Sequence, residues 1–163
     1  MCRTGWRLFR TGLLHLCLLV LVPALVFCQQ QQNVFESLTV LDGLSQNLVN
    51  AVLQDSDGLM WFGTLDGVNV YDGYSFLTYS TVPGDPNTLT DNQVRSMYSD
   101  RNGDIWIGTS LGLNRIDHET RKVTRFTHVQ GDTTALSNRH IRTMCEDTGG
   151  NLWIGTSWGL NRY

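Results

Sequence analysis

The hydrophobic and polar positions of this chain repeat three times, at intervals of 45 and 47 residues. Each copy centres on Trp-Ile/Phe-Gly-Thr, and a Gly-Leu/Val-Asn follows six residues after the Trp; the copies begin at Trp61, Trp106 and Trp153. A Gly lies three residues before each Trp and an Asp six residues before it. Further upstream, Leu-Ser or Leu-Thr precedes an apolar run. An internal repeat of this length indicates a propeller or a solenoid.

Four short β-prone segments follow one another within a repeat, separated by turn residues. In the second repeat they span 94–98, 104–108, 112–116 and 122–128. The Asp-x-x-Gly between the first two supplies the glycine that a tight hairpin needs. No segment beyond the first 28 residues keeps a 3.6-residue apolar period, which argues against a helical solenoid. The predicted fold is therefore all-β, a β-propeller of four-stranded blades, about three of which fall in this chain.

The repeats also predict the domain boundaries. We expect a signal peptide at 1–28, a polar spacer at 29–33, an N-terminal strand at 34–43 that closes the ring by completing the last blade, and propeller repeats at 44–88, 89–135 and 136–163. The third repeat stops inside its pattern, and a ring of such blades needs at least about four to close. The chain is therefore expected to be the N-terminal piece of a longer protein.

The first 28 residues have the pattern of a secretory signal. Arg3, Arg7 and Arg10 precede an uncharged apolar run over 13–27, which is short for a membrane helix. Cleavage after Cys28 is favoured over an uncleaved anchor or a lipoprotein, in which Cys28 would be acylated. We expect export to the periplasm, with membrane attachment only through the parent protein.

Charge and cysteine content narrow the function classes. Residues 29–163 contain 9 basic and 15 acidic residues, which disfavours a nucleic-acid contact. Cys145 is the only cysteine in that part, so no internal disulfide is possible there. Its place in an apolar strand predicts a buried packing residue.

The repeated residues have structural explanations. We expect the Trp residues to fill the space between adjacent blades and the Gly residues to permit turns and close sheet contact. The predicted structural set is Trp61, Trp106, Trp153, Gly63, Gly108, Gly155, Gly67, Gly112 and Gly159. Repetition in every blade favours architecture over ligand contact.

This pattern resembles the two-component regulator propeller repeat over residues 34–163. The third copy, Asn151 to Thr156 and Gly159 to Tyr163, is the closest, whereas the first departs at Phe62, Val68 and Val70. The resemblance implies a hybrid two-component sensor of gram-negative gut bacteria. In such proteins two seven-bladed periplasmic propellers precede an immunoglobulin-like domain, a membrane helix, a histidine kinase core, a receiver and a DNA-binding region, and the known ligands are mostly oligosaccharides.

Catalytic and metal motifs are weak in this sequence. Gly108 to Gly112 and Gly155 to Gly159 match Gly-x-Ser-x-Gly, but each joins two β segments, where a nucleophile elbow joins a strand to a helix. The histidines lack paired spacing, so neither a metal site nor a cofactor is predicted. We expect no enzyme activity in this segment; the catalytic core of a kinase parent would lie downstream of residue 163.

Ligand-binding candidates lie on the first strand of each repeat and in two turns. Asn50, Arg95 and Arg142 are equivalent, and arginines there suit sugar hydroxyls or uronic carboxylates, although an ion pair with a nearby Asp or Glu is the simpler expectation. Tyr74 and Trp158 are candidates for stacking on sugar rings. The leading hypothesis is a propeller that senses an oligosaccharide or another small periplasmic ligand and contacts the rest of its own propeller and a homodimer partner; a secreted protein scaffold and a propeller lyase or hydrolase are the alternatives.

Overall fold

The computed structural model describes residues 34–163, so the predicted signal peptide at 1–28 and spacer at 29–33 lie outside it. Eleven strands and one 3-10 turn make up the secondary structure of this part. The strands are β1 Val49–Gln54, β2 Met60–Thr64, β3 Val68–Tyr71, β4 Phe76–Tyr79, β5 Val94–Ser99, β6 Ile105–Thr109, β7 Leu113–Ile116, β8 Val123–Phe126, β9 Ile141–Glu146, β10 Leu152–Thr156 and β11 Gly159–Arg162.

The strands form three antiparallel meanders, one for each repeat. Sequence order equals spatial order in the four-stranded sheets β1–β4 and β5–β8 and in the three-stranded sheet β9–β11. The first strands of neighbouring sheets contact one another, β1 with β5 and β5 with β9, so the first strand of each blade is the inner one. The sheets are therefore consecutive blades of a partial β-propeller, which confirms the predicted fold class.

Apolar side chains pack between consecutive blades. Trp61 is 1% exposed and lies in one cluster with Val94 and Ile107 of the second blade. Trp106 occupies the same place between the second and third blades. Trp153 is half-buried, because no further sheet covers its side of the third blade in the described residues. Trp61 and Trp106 thus each fill the gap that follows their own blade, where burial of a large ring stabilises the stack.

Close contact between blades requires glycine after the Trp. A Cβ on Gly63 would lie 2.5 Å from Cγ1 of Val94, and one on Gly108 would lie 2.6 Å from Cγ2 of Ile141. Both Val94 and Ile141 are buried inner-strand residues of the next blade. The glycines therefore let adjacent sheets approach closely.

A polar clamp recurs in every repeat. The Asn of the third strand accepts a hydrogen bond from the backbone of the Ser or Thr that precedes the first strand, and its amide bonds the hydroxyl of the same residue. The backbone distances are 3.0 Å for Ser45 to Asn69, 2.8 Å for Thr90 to Asn114 and 2.9 Å for Ser137 to Asn161. Asn69 and Asn114 are fully buried, where an unpaired amide is costly. The clamp fixes the chain segment that leads into each inner strand.

The repeated Asp organises the turn between the first and second strands. Its carboxylate accepts the indole N–H of the repeated Trp at 2.8 Å in each blade, and it also accepts backbone N–H groups of its own turn. Hydrogen bonds from the Trp153 indole, and from Asn151 and Gly149, hold the pKa of Asp147 well below its ordinary value of 3.8. The ionised carboxylate is therefore part of the folded structure.

Stability is expected to fall in acid because of Asp147. A pKa that is lowered by folding contributes stability above the unfolded pKa of 3.8, and this contribution disappears as the pH falls through the folded pKa. Chemical denaturation of the complete propeller at about pH 6 and at about pH 3 should show a larger loss for wild type than for Asp147→Asn. Glu119→Gln, an exposed turn substitution, controls for the removed charge. Equal acid sensitivity of wild type and Asp147→Asn would contradict this assignment.

Two sequence expectations differ from the structure. Residues 34–39 form no strand; Val40–Asp42 is a 3-10 turn, capped by Thr39 and followed by Gly43 in the left-handed region. The predicted ring closure concerns pairing with a sheet other than the three described, and it stays a prediction. Cys145 is exposed rather than buried, because its side of the third blade has no neighbouring sheet in the described residues.

Candidate functional site

The candidate residues on the inner strands all lie at β-bulges. Each inner strand loses register with the second strand at one residue, and that residue is Asn50 in β1, Arg95 in β5 and Arg142 in β9. A bulge leaves one residue without a partner in the ladder and redirects its side chain. The three equivalent positions are therefore the ones at which each blade aims a polar side chain out of the sheet. We call Asn50, Arg95 and Arg142 the bulge residues.

A serine hydroxyl holds each bulge arginine. Arg95 donates from Nε to Oγ of Ser110 at 3.0 Å, and Arg142 donates from Nε to Oγ of Ser157 at 2.9 Å. Both serines are the central residue of a Gly-x-Ser-x-Gly turn, 15 positions after their arginine.

The first blade replaces both members of this pair. Leu65 occupies the serine position and Asn50 the arginine position. Asn50 instead donates from Nδ2 to the carbonyl of Val94 at 2.8 Å, so its amide is bonded to the second blade. The sequence contains one signal for the arginine–serine contact: the two repeats with Arg at the bulge have Ser 15 positions later, and the repeat with Asn has Leu there. The structure shows that this joint change reflects a hydrogen bond.

The bulge arginines have no carboxylate partner among residues 34–163. The ion pairs in that range join Arg101 to Glu146, Arg115 to Asp104, and both His118 and Arg121 to Asp57. Arg95 and Arg142 are exposed, and the one further contact of Arg95 is a 3.5 Å bond from Nη2 to Gln93. The simpler expectation of an ion pair is therefore wrong for the described part of the chain.

The two aromatic candidates lie at opposite ends of the propeller. Antiparallel order places the start of each inner strand at the same end as the turn between the second and third strands. Trp158, 80% exposed in the turn between β10 and β11, therefore lies at the end where the bulge residues lie. Tyr74, in the turn between β3 and β4, lies at the other end. We call the end that carries the bulge residues and Trp158 the rim.

The contacts of Ser110 are not those of a nucleophile. Its hydroxyl accepts from Arg95 and lies 3.3 Å from Oε1 of Gln93. In residues 34–163 no histidine side chain hydrogen bonds to the hydroxyl of Ser110 or Ser157, whereas a base within hydrogen-bond reach of the hydroxyl is what activates a serine. The Gly-x-Ser-x-Gly turns act here as supports for arginine.

No group of three or more His, Cys, Asp or Glu within residues 34–163 has the geometry to hold a metal ion. None of the helical segments described in residues 34–163 has the length and apolar character to cross a membrane.

A cavity of about 410 Å³ lies beside β11, lined by Phe126, Ile154, Leu160 and Tyr163 among others. It borders the unpaired edge of the third sheet and does not include the bulge arginines.

Each of the three repeats aligns with the model of a known protein family. A family model of the two component regulator propeller aligns with residues 43–66, 88–110 and 135–158. Histidine kinase P4 of Formosa agariphila is 42% identical over 62 residues. That alignment covers 38% of this chain and 4% of the kinase.

Two solved structures have the same arrangement of blades. The extracellular domain of the hybrid two component system BT3049 from B. thetaiotaomicron matches 78% of this chain with a TM-score of 0.72 and 28% identity. The extracellular domain of the hybrid two component system BT4673 from the same organism matches 80% with a TM-score of 0.64 and 28% identity. The chain spans 18% of the length of each.

Proposed function

Because this chain carries three two-component regulator propeller repeats, we propose that it is part of the ligand-sensing propeller of a membrane-bound hybrid sensor histidine kinase. The similarity to a histidine kinase and to extracellular domains of hybrid two component systems supports this proposal. The chain spans 4% of the kinase and 18% of the solved domains. Kinase activity, a phosphorelay and the control of genes are therefore proposed for the parent protein.

The proposed location is the periplasm. The basic start and apolar run of residues 1–28 support export. The two solved relatives are extracellular domains, which fits the same location. Membrane attachment would come from another part of the parent protein.

The rim is the observation on which the proposed sensing role rests. It combines two exposed arginines, which have no carboxylate partner in the described part of the chain, with an exposed Trp158. Guanidinium groups donate hydrogen bonds to sugar oxygens, and an indole face packs against a sugar ring. Oligosaccharides are therefore the ligand class that suits this surface, and the segment itself needs no catalytic residue for the role.

Signalling requires that the ligand distinguish two arrangements of the receptor. An oligosaccharide that contacts the rim more favourably in one arrangement of the propellers, or of a homodimer, shifts the population toward it. The coupling between ligand and kinase equals that difference in binding free energy.

Calorimetry tests the proposal directly. The complete exported region is titrated with a panel of neutral and acidic oligosaccharides, with their monosaccharides as controls for non-specific heat. We expect at least one oligosaccharide to bind and to raise the melting temperature, because a ligand that binds only the folded state stabilises it. Absence of binding and of any thermal shift across a broad panel would contradict the sensing role.

A further inference from the structure

Two positive charges lie on adjacent inner strands, and neither forms an ion pair within residues 34–163. Arg95 and Arg142 occupy the same bulge position in β5 and β9, and these two strands contact each other. The ion pairs in residues 34–163 use other basic residues. Like charges on neighbouring strands repel, so an anion that contacts both is favoured there.

The serines fix how each guanidinium is presented. Nε of Arg95 and Nε of Arg142 are used by Ser110 and Ser157, so the terminal nitrogens remain as donors. In residues 34–163 the one bond from a terminal nitrogen of either arginine is the 3.5 Å contact of Arg95 with Gln93. A planar guanidinium whose Nε is already held loses less freedom when its outer edge binds a carboxylate or a sulfate.

Among residues 34–163, Asp66 at the same end of the first blade makes no ion pair with either arginine. Its carboxylate keeps its charge and accepts the side-chain amide of Asn92 at 2.9 Å. Residues 29–163 carry 15 acidic and 9 basic residues, so attraction of an anion here is a property of the rim and not of the whole protein. A local positive site on an acidic protein favours an anionic ligand at that place.

From these contacts we propose that the ligand of the rim is an anionic oligosaccharide, whose carboxylate or sulfate group is bound jointly by Arg95 and Arg142 while a sugar ring packs on Trp158. The inference rests on the proposed sensing function and adds the charge of the ligand to it. It also assigns Ser110 and Ser157 as positioning residues for the two arginines.

Matched ligand pairs test the charge requirement. Trigalacturonate is compared with its methyl ester, and sulfated galactotriose with galactotriose, by calorimetry on the complete exported region. We expect at least one charged member to bind about tenfold or more tightly than its neutral partner. The pair that shows the difference identifies the anionic group as carboxylate or sulfate.

Substitutions then locate the binding groups. Arg95→Gln and Arg142→Gln should each weaken binding of the charged oligosaccharide by about tenfold or more. Arg95→Lys, which keeps the charge without the planar fork, should lie between Arg95→Gln and wild type. Lys122→Gln removes the same charge at the opposite end of the second blade and should change the affinity by less than about twofold.

The outcomes separate this inference from the proposed function. Equal affinity for charged and neutral partners, or unchanged affinity in both glutamine variants, overturns the inference and leaves oligosaccharide sensing intact. The same holds if only neutral oligosaccharides of the wider panel bind. Absence of binding to every oligosaccharide, charged or neutral, overturns both.

Discussion

Trp106→Ala is expected to lower the free energy of unfolding of the complete propeller by about 3–5 kcal/mol. Trp106 is 2% exposed, and it lies among apolar residues of the second and third blades. Its ring stacks on Phe126 with centroids 5.6 Å apart, and its N–H is donated to Asp100 at 2.8 Å. Truncation therefore removes apolar contacts, opens a cavity and leaves the Asp100 carboxylate without its indole donor.

The matched control for this substitution is Trp158→Ala. The equivalent Leu111 of the second blade stays 43% exposed although a third sheet follows it, so loss of Trp158 should lower the unfolding free energy by about 1 kcal/mol or less. Urea unfolding followed by far-UV circular dichroism measures both variants. Similar losses in the two variants would show that the gap between blades is not where the repeated Trp acts.

The isolated segment 29–163 is expected to lack a stable monomeric fold. Val52 of the first sheet is 58% exposed and Leu160 of the third is 65% exposed, so the outer faces of both terminal sheets present apolar side chains to water. β11 also has an unpaired edge in the described chain, which favours pairing with other molecules. Repeat units of this kind gain their stability from neighbours.

Thermal denaturation combined with light scattering tests this expectation. The segment should unfold gradually or self-associate, whereas the complete ring should melt in one cooperative transition. A sharp two-state melt of residues 29–163 as a monomer would contradict the prediction, because it would mean that three sheets already bury enough apolar surface.

The blade architecture was predictable because its determinants are local. The predicted segments 94–98, 104–108, 112–116 and 122–128 correspond to β5–β8 with small differences at their ends. Turn glycines and alternating apolar positions set strand limits within a few residues, and the Trp spacings of 45 and 47 residues identified the unit. These signals do not depend on how the sheets pack.

The geometry of the rim was less predictable. A bulge depends on the backbone register between two strands, and the residue type at position 95 or 142 does not reveal it. The same limit applies to Ser110 and Ser157: the sequence argued against a hydrolase turn at their motif, but it did not reveal their arginine partners. The exposure of Cys145 depends on whether another sheet follows, which an apolar strand pattern cannot state.

The polar contacts of each repeat have a consequence for the order of folding. In the first repeat they join residues that are 6, 19 and 24 positions apart: Asp55 with Trp61, Ser45 with Thr64, and Ser45 with Asn69. All three contacts lie inside one repeat, so they do not wait for the following repeat, whereas burial of Trp61 does. A polypeptide that emerges gradually from its amino end can therefore make these polar contacts within one blade before the next sheet arrives to cover its apolar face.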